Sequence, residues 1–219
     1  RRMIADIPLL PILAKLAEGL LATLALSLLA FVLGGATGLL VLFARVGRSQ
    51  NLRRLAKAYI QAFQNTPLLM QMFIVFFGSS MAGLDISPWT AAAIGLTLYT
   101  SAYLAEVWRG CVESIPRGQW EASSSLAMGY LQQMRHVVLP QALRLSIAPT
   151  VGFSVQIIKG TAVASIIGFS ELTKLGSMVA NATFQPFLIY GLVAAGYFLL
   201  CWPLSLYASH LEKKLYAAR

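Results

Sequence analysis

One ammonium group set in an otherwise apolar segment is the residue with the most chemistry to offer. Lys159 interrupts the uncharged run from Ile147 to Phe169, and an ionised side chain at such depth is costly unless it faces a cavity or a partner. Gly152, Gln156, Lys159 and Val163 recur on one helical face, with Ser154, Thr161 and Ser165 on roughly the opposite one. Only one face can line a solute path. There the ammonium would hold a solute carboxylate, or it would pair with a carboxylate of another helix, and the residues leave both open. Gln156, Lys159 and Thr161 are the path candidates of this segment. A second stripe, Gln61, Gln64, Leu68 and Gln71, lies beside a break at Asn65-Thr66-Pro67. Amides there line a wet passage or bond to neighbouring helices, with Gln64 and Gln71 as candidates. Glu106 stands three residues before Arg109, the spacing of a local ion pair, with a gating link between helices as the alternative.

Other chemistries are excluded. His136 and His210 both fall outside the apolar runs, so an intramembrane Ser–His pair has no base at depth. Cys111 and Cys201 are far apart in apolar or helical contexts, which argues against a disulfide scaffold or a cysteine metal site. No G-x-x-x-x-G-K-[ST] loop is present to cradle ATP phosphates, so energy must come from a partner or a gradient. The chain reads as a non-enzyme without a cofactor or metal of its own.

Helices in a bilayer must position these residues. Of the 219 residues, 58% are hydrophobic and 11% charged, against about 25% charged in an ordinary soluble domain. The fold class is therefore all-α integral membrane protein. Long uncharged runs and the Lys159 segment give five spans in a single domain, 1–219, at about 19–44, 58–79, 87–108, 147–169 and 186–209. The first outlasts the h-region of a signal peptide, and Arg45 to Lys57, including Arg48, follow as a stop-transfer flank. Three segments, 45–57, 109–144 and 212–219, hold most of the 17 basic residues and the net charge of +9. By the positive-inside rule they are cytoplasmic, which sets the N-terminus periplasmic and the C-terminus cytoplasmic, with no need of nucleic acid to explain the charge. Arg1, Arg2 and Asp6 fall on the other side. Ala30, Gly34 and Gly38 form a small-residue stripe that allows close helix approach.

The one large loop, about 109–145, reads as two short helices, 118–126 and 130–138, broken at Gly129 and bounded by Pro140. Such a knob is a docking element for another subunit, with Trp120, Met128 and Tyr130 as apolar anchors, or an amphipathic loop lying on the membrane.

Within it, Glu121-Ala122-Ser123, three residues, Ala127, nine residues, then Val137-Val138-Leu139-Pro140 resembles the EAA motif, E-A-A-x3-G-x9-I-x-L-P, of bacterial ABC-importer permeases. Further pieces match the polar amino acid branch in order: Asn65 to Leu69 with Gln71, Ala102 to Gly110, Ser114 to Gln119, and Leu139 to Arg144. The likeness covers nearly the whole chain. Ala127 stands where the motif has glycine, Ser123 and Val137 replace Ala and Ile, and Gly160 follows Lys159 where the family usually has an acid.

The resemblance implies a type I importer fold in the bacterial inner membrane and one half of a pore. A second permease chain, identical or homologous, would complete the pore, two ATPase subunits would bind ATP and Mg beneath, and a periplasmic solute-binding protein would deliver a polar or charged amino acid. The loop 118–140 would be the coupling element, carried by Arg117, Gly118, Trp120, Glu121, Ala122, Ser123, Ala127, Met128, Gly129, Leu139 and Pro140. A gradient-driven transporter or channel without an ATPase is the competing class, and it would be expected to carry inverted repeats that five spans do not readily provide.

Overall fold

The computed structural model describes residues 9–47 and 49–217; Arg1, Arg2, Asp6, Arg48 and Arg219 lie outside the described residues. No strand occurs among the described residues. Among the described residues three helices are long and apolar enough to cross a membrane: Leu9–Val46, Tyr130–Ser165 and Pro186–Leu215.

The first, α1 (Leu9–Val46), extends beyond its uncharged run, and Lys15 and Glu18 pair on its surface. The expected second span is two helices. The chain forms α2 (Gln50–Gln64), basic and amphipathic, and α3 (Leu68–Met81), 14 residues long. Pro67 explains the split, since it has no N–H to donate and pushes the residue before it out of helical geometry. Gln71 closes the break, donating from Nε2 to the carbonyls of Phe63 (2.7 Å) and Thr66 (2.9 Å).

Next comes α4 (Pro88–Glu113), capped by Ser87 and packed along α1. Its 26 residues have the length of a crossing, diluted by Thr97, Thr100 and Ser101. The small-residue stripe of α1 serves this contact within the chain: a Cβ at Gly34 would lie 2.6 Å from the Thr100 side chain. Leu26, Met72, Leu96 and Ile157 fill the core between α1, α3, α4 and α7.

The loop holds α5 (Arg117–Ser125) and α6 (Tyr130–Gln133). Pro140 is not a boundary, contrary to its sequence signal. From α6 the chain runs through a π-helical segment, Met134–Val138, into α7 (Leu139–Gly160), and ends in a 3-10 turn, Thr161–Ser165. In the π segment Leu139 N–H reaches the Met134 carbonyl, five residues back. The wider turn admits a proline ring that would clash with the carbonyl four residues before it.

A short helix that the sequence pattern does not announce, α8 (Leu172–Thr183), precedes the last one, α9 (Pro186–Ala217). Glu171 caps it, and a left-handed Phe184 (φ 54°) turns the chain into α9. Leu16, Leu172, Ala180, Ile189 and Val193 seal α8 between α1 and α9.

Candidate functional site

The knob is rooted in the bundle and open at its tip. Val112, Ile115, Met134 and Val138 bury its base. Trp120 stacks on Tyr130 (centroids 6.5 Å apart, 20° between planes), and Tyr130 Oη donates to the Val46 carbonyl at the end of α1 (2.7 Å). Gln133 Nε2 donates to Ser124 Oγ (2.8 Å) and to the Met128 carbonyl (3.1 Å), fastening α5 to α6. Ser123 is buried, its hydroxyl spent on the Trp120 carbonyl (2.9 Å).

Trp120 and Tyr130 are half-buried and packed on each other within the knob, and Met128 is half-buried as well. Gly118, Glu121, Ala122, Ala127 and Gly129 are exposed on the knob, Arg117 is exposed at the start of α5 and Pro140 in the first turn of α7, while Leu139 is half-buried. The knob's large exposed apolar side chains are Leu126, 76% exposed, and Leu131, 81% exposed. Both are isolated leucines beside polar helices and could have been picked out as exposed by that spacing alone.

The break between the two helices falls at Ala127, not Gly129. Ala127 adopts φ 55°, whereas Gly129 has an ordinary φ of −68° and caps α6. The motif's glycine position thus demands a left-handed backbone, which glycine adopts freely and alanine only with strain.

At the cytoplasm-facing end expected for α4, Arg109 joins two acids of its own helix. Its Nε and Nη2 donate to Glu106 Oε2 (2.9 Å) and Oε1 (2.6 Å), and Nη1 pairs with Glu113. The two carboxylates push the guanidinium pKa above its usual value. Glu106 is accordingly engaged in an i,i+3 pair. Burial raises the Cys111 thiol, which keeps it a poor nucleophile.

The path candidates differ in exposure. Gln156 and Lys159 lie together on an exposed face of α7, and no ion pair to Lys159 occurs among the described residues. Gln64 is half-buried at the end of α2. Thr161 is fully buried and donates to the Ile158 carbonyl (2.7 Å), while Gln71 is buried at the α2–α3 break. No His/Cys/Asp/Glu group able to hold a metal occurs among the described residues.

Glu171 is a further buried ionisable group. It is 0% exposed and accepts from Thr173 N (2.9 Å), Lys174 N (2.7 Å) and Tyr197 Oη (2.6 Å).

Residues 36–215 match the family model described as binding-protein-dependent transport system inner membrane component. The chain belongs to this family. It is 34% identical over 197 residues to the probable amino-acid ABC transporter permease protein YckA of Bacillus subtilis (strain 168), covering 90% of this chain and 87% of that one. It is 33% identical over 198 residues to the probable glutamine ABC transporter permease protein GlnM of the same organism, covering 90% and 92%. A solved structure described as an amino acid ABC transporter with histidines superposes with a TM-score of 0.89 at 29% identity, covering 95% of this permease and 99% of that chain. The permease is thus a multi-pass inner-membrane transport component of ABC type, with the fold of its solved relative, and transports rather than catalyses.

Proposed function

We propose that this permease forms half of the pathway of an ATP-driven importer for a polar amino acid, with its energy delivered through the α5–α6 knob. The observation that carries the reading is the tip: a helix fastened to the membrane bundle by Trp120, Tyr130 and Gln133, yet presenting Glu121, Leu126 and Leu131 outward. A lever needs both a rigid root and a free contact face. The names borne by YckA and GlnM favour an amino acid as solute.

In this reading the chain crosses five times, with α2–α3 together as the second crossing and α4 as the third. The N-terminus is periplasmic and the C-terminus cytoplasmic. A second permease, identical or homologous, completes the pore, two ATPase subunits hold ATP and Mg and close on each other beneath, and a periplasmic binding protein delivers the solute. Gln156 and Lys159 face the path, where the ammonium meets the solute carboxylate.

Purification from the native membrane in mild detergent, followed by reconstitution and uptake of a labelled amino-acid panel, tests this. Co-purification of an importer-type ATPase and uptake that needs ATP and the binding protein is the expected result. Gradient-driven uptake by the chain alone overturns it.

A further inference from the structure

Where α1 ends and α4 meets α5, three guanidinium groups line one cavity. Arg45, Arg53 and Arg117 line a cavity of about 350 Å³ together with Glu113, Trp120 and Met134. Glu113 is already paired with Arg109, and Glu106 takes two hydrogen bonds from the same Arg109. No ion pair to Arg45, Arg53 or Arg117 occurs among the described residues. Arg45 Nε is buried with no hydrogen-bond partner, an unfavourable state unless an acceptor arrives.

Beside this cavity, and sharing Val112 with it, an apolar crevice of about 600 Å³ opens between α1, α4 and α7. Its wall includes Leu42, Phe43, Trp108 and Ile147, with Arg144 as its charged residue. Leu39, Phe43, Leu143 and Ile147 are all more than 40% exposed there.

We propose that the two spaces together hold one anionic phospholipid, with the phosphodiester on Arg45, Arg53 and Arg117 and an acyl chain in the crevice. A free phosphate would satisfy the arginines and leave the crevice empty, and an acidic side chain of a protein partner would do the same. A guanidinium cluster adjoining an apolar slot at the end of a spanning helix, with Val112 between them, favours lipid, because basic pockets between such helices bind anionic head groups. The proposal rests on α1, α4 and α7 lying in a bilayer and not on the identity of the solute.

The test uses the assembled transporter, delipidated in detergent and titrated with dioleoyl phosphatidylglycerol or dioleoyl phosphatidylcholine under native mass spectrometry. Phosphatidylglycerol should be retained over phosphatidylcholine. The Arg45→Gln/Arg53→Gln variant should bind phosphatidylglycerol about 30-fold more weakly, from the usual contribution of a basic residue near an anionic head group. Arg54→Gln, which removes one charge outside the cavity, should bind as the parent does. Ile147→Trp, which narrows the crevice and leaves the charges intact, should weaken binding several-fold, and it keeps the proposal testable where the arginine variant fails to assemble. Equal retention of both lipids, equal loss in Arg54→Gln, or unchanged binding in Ile147→Trp overturns the proposal. Full displacement by inorganic phosphate would mark a free-anion site instead, and binding to the isolated permease but not to the complex would mark a protein partner's site.

Discussion

Tyr130 donates its hydroxyl hydrogen to the Val46 carbonyl across 84 positions of sequence, at 2.7 Å. That bond ties the knob to the end of α1, the longest helix among the described residues.

Tyr130→Phe keeps the ring that stacks on Trp120 and removes the hydroxyl. A hydrogen bond of this type is worth about 1 kcal/mol net, so the purified complex should melt a few degrees lower and still assemble. The uptake obtained per ATP hydrolysed in proteoliposomes should fall. An unchanged ratio at equal assembly would mean that the knob does not act through α1.

Ala127→Gly should stabilise the complex. A left-handed backbone costs a residue with a Cβ roughly 1 to 2 kcal/mol, part of which glycine returns through the greater freedom of the unfolded chain, leaving a net gain of about 0.5 to 1 kcal/mol. Ala127→Val should do the reverse, because a branched Cβ tolerates φ 55° worst. Thermal melts of the two variants should fall on opposite sides of the parent.

What the sequence conveys and what it hides divides along the range of the forces involved. Apolarity adds up along the chain, so α1, the Lys159 helix and α9 are legible from their runs of residues. The motif spacing around Glu121 makes the knob legible too. The stacking of Trp120 on Tyr130 is not legible, because it arises only once a turn of the chain brings the two rings together. Pro140 reads as a stop because its ordinary effect is to end a helix, and only a π turn lets the helix continue. The cap of α8 was equally hidden, since Glu171 depends on Tyr197, 26 positions away, and Leu172 N–H on Thr23 Oγ1, 149 positions away.

Glu171→Gln should be costly despite its near-identical shape. The carboxylate accepts three hydrogen bonds, and an amide turns one of its two acceptors into a donor facing another donor. A buried group left unsatisfied costs about 1 to 3 kcal/mol. Tyr197→Phe removes one of the donors, so the double variant should lose less than the sum of the two singles. Additive losses in a thermal-melt cycle would show that the contact carries no coupling.

Lys159→Met separates the two readings of the ammonium. Methionine keeps most of the apolar stem and discards the ammonium. Lys159 is exposed with no ion pair among the described residues, so its loss leaves no buried carboxylate stranded and the complex should melt near the parent temperature. If the ammonium holds the solute carboxylate, uptake should fall at least tenfold, a loss of about 1.4 kcal/mol in solute binding, while ATP hydrolysis by the complex persists. Lys159→Arg should restore part of the uptake, because the charge returns on a wider group. Normal uptake in Lys159→Met with a lowered melting point would instead assign the lysine to pairing with the partner permease.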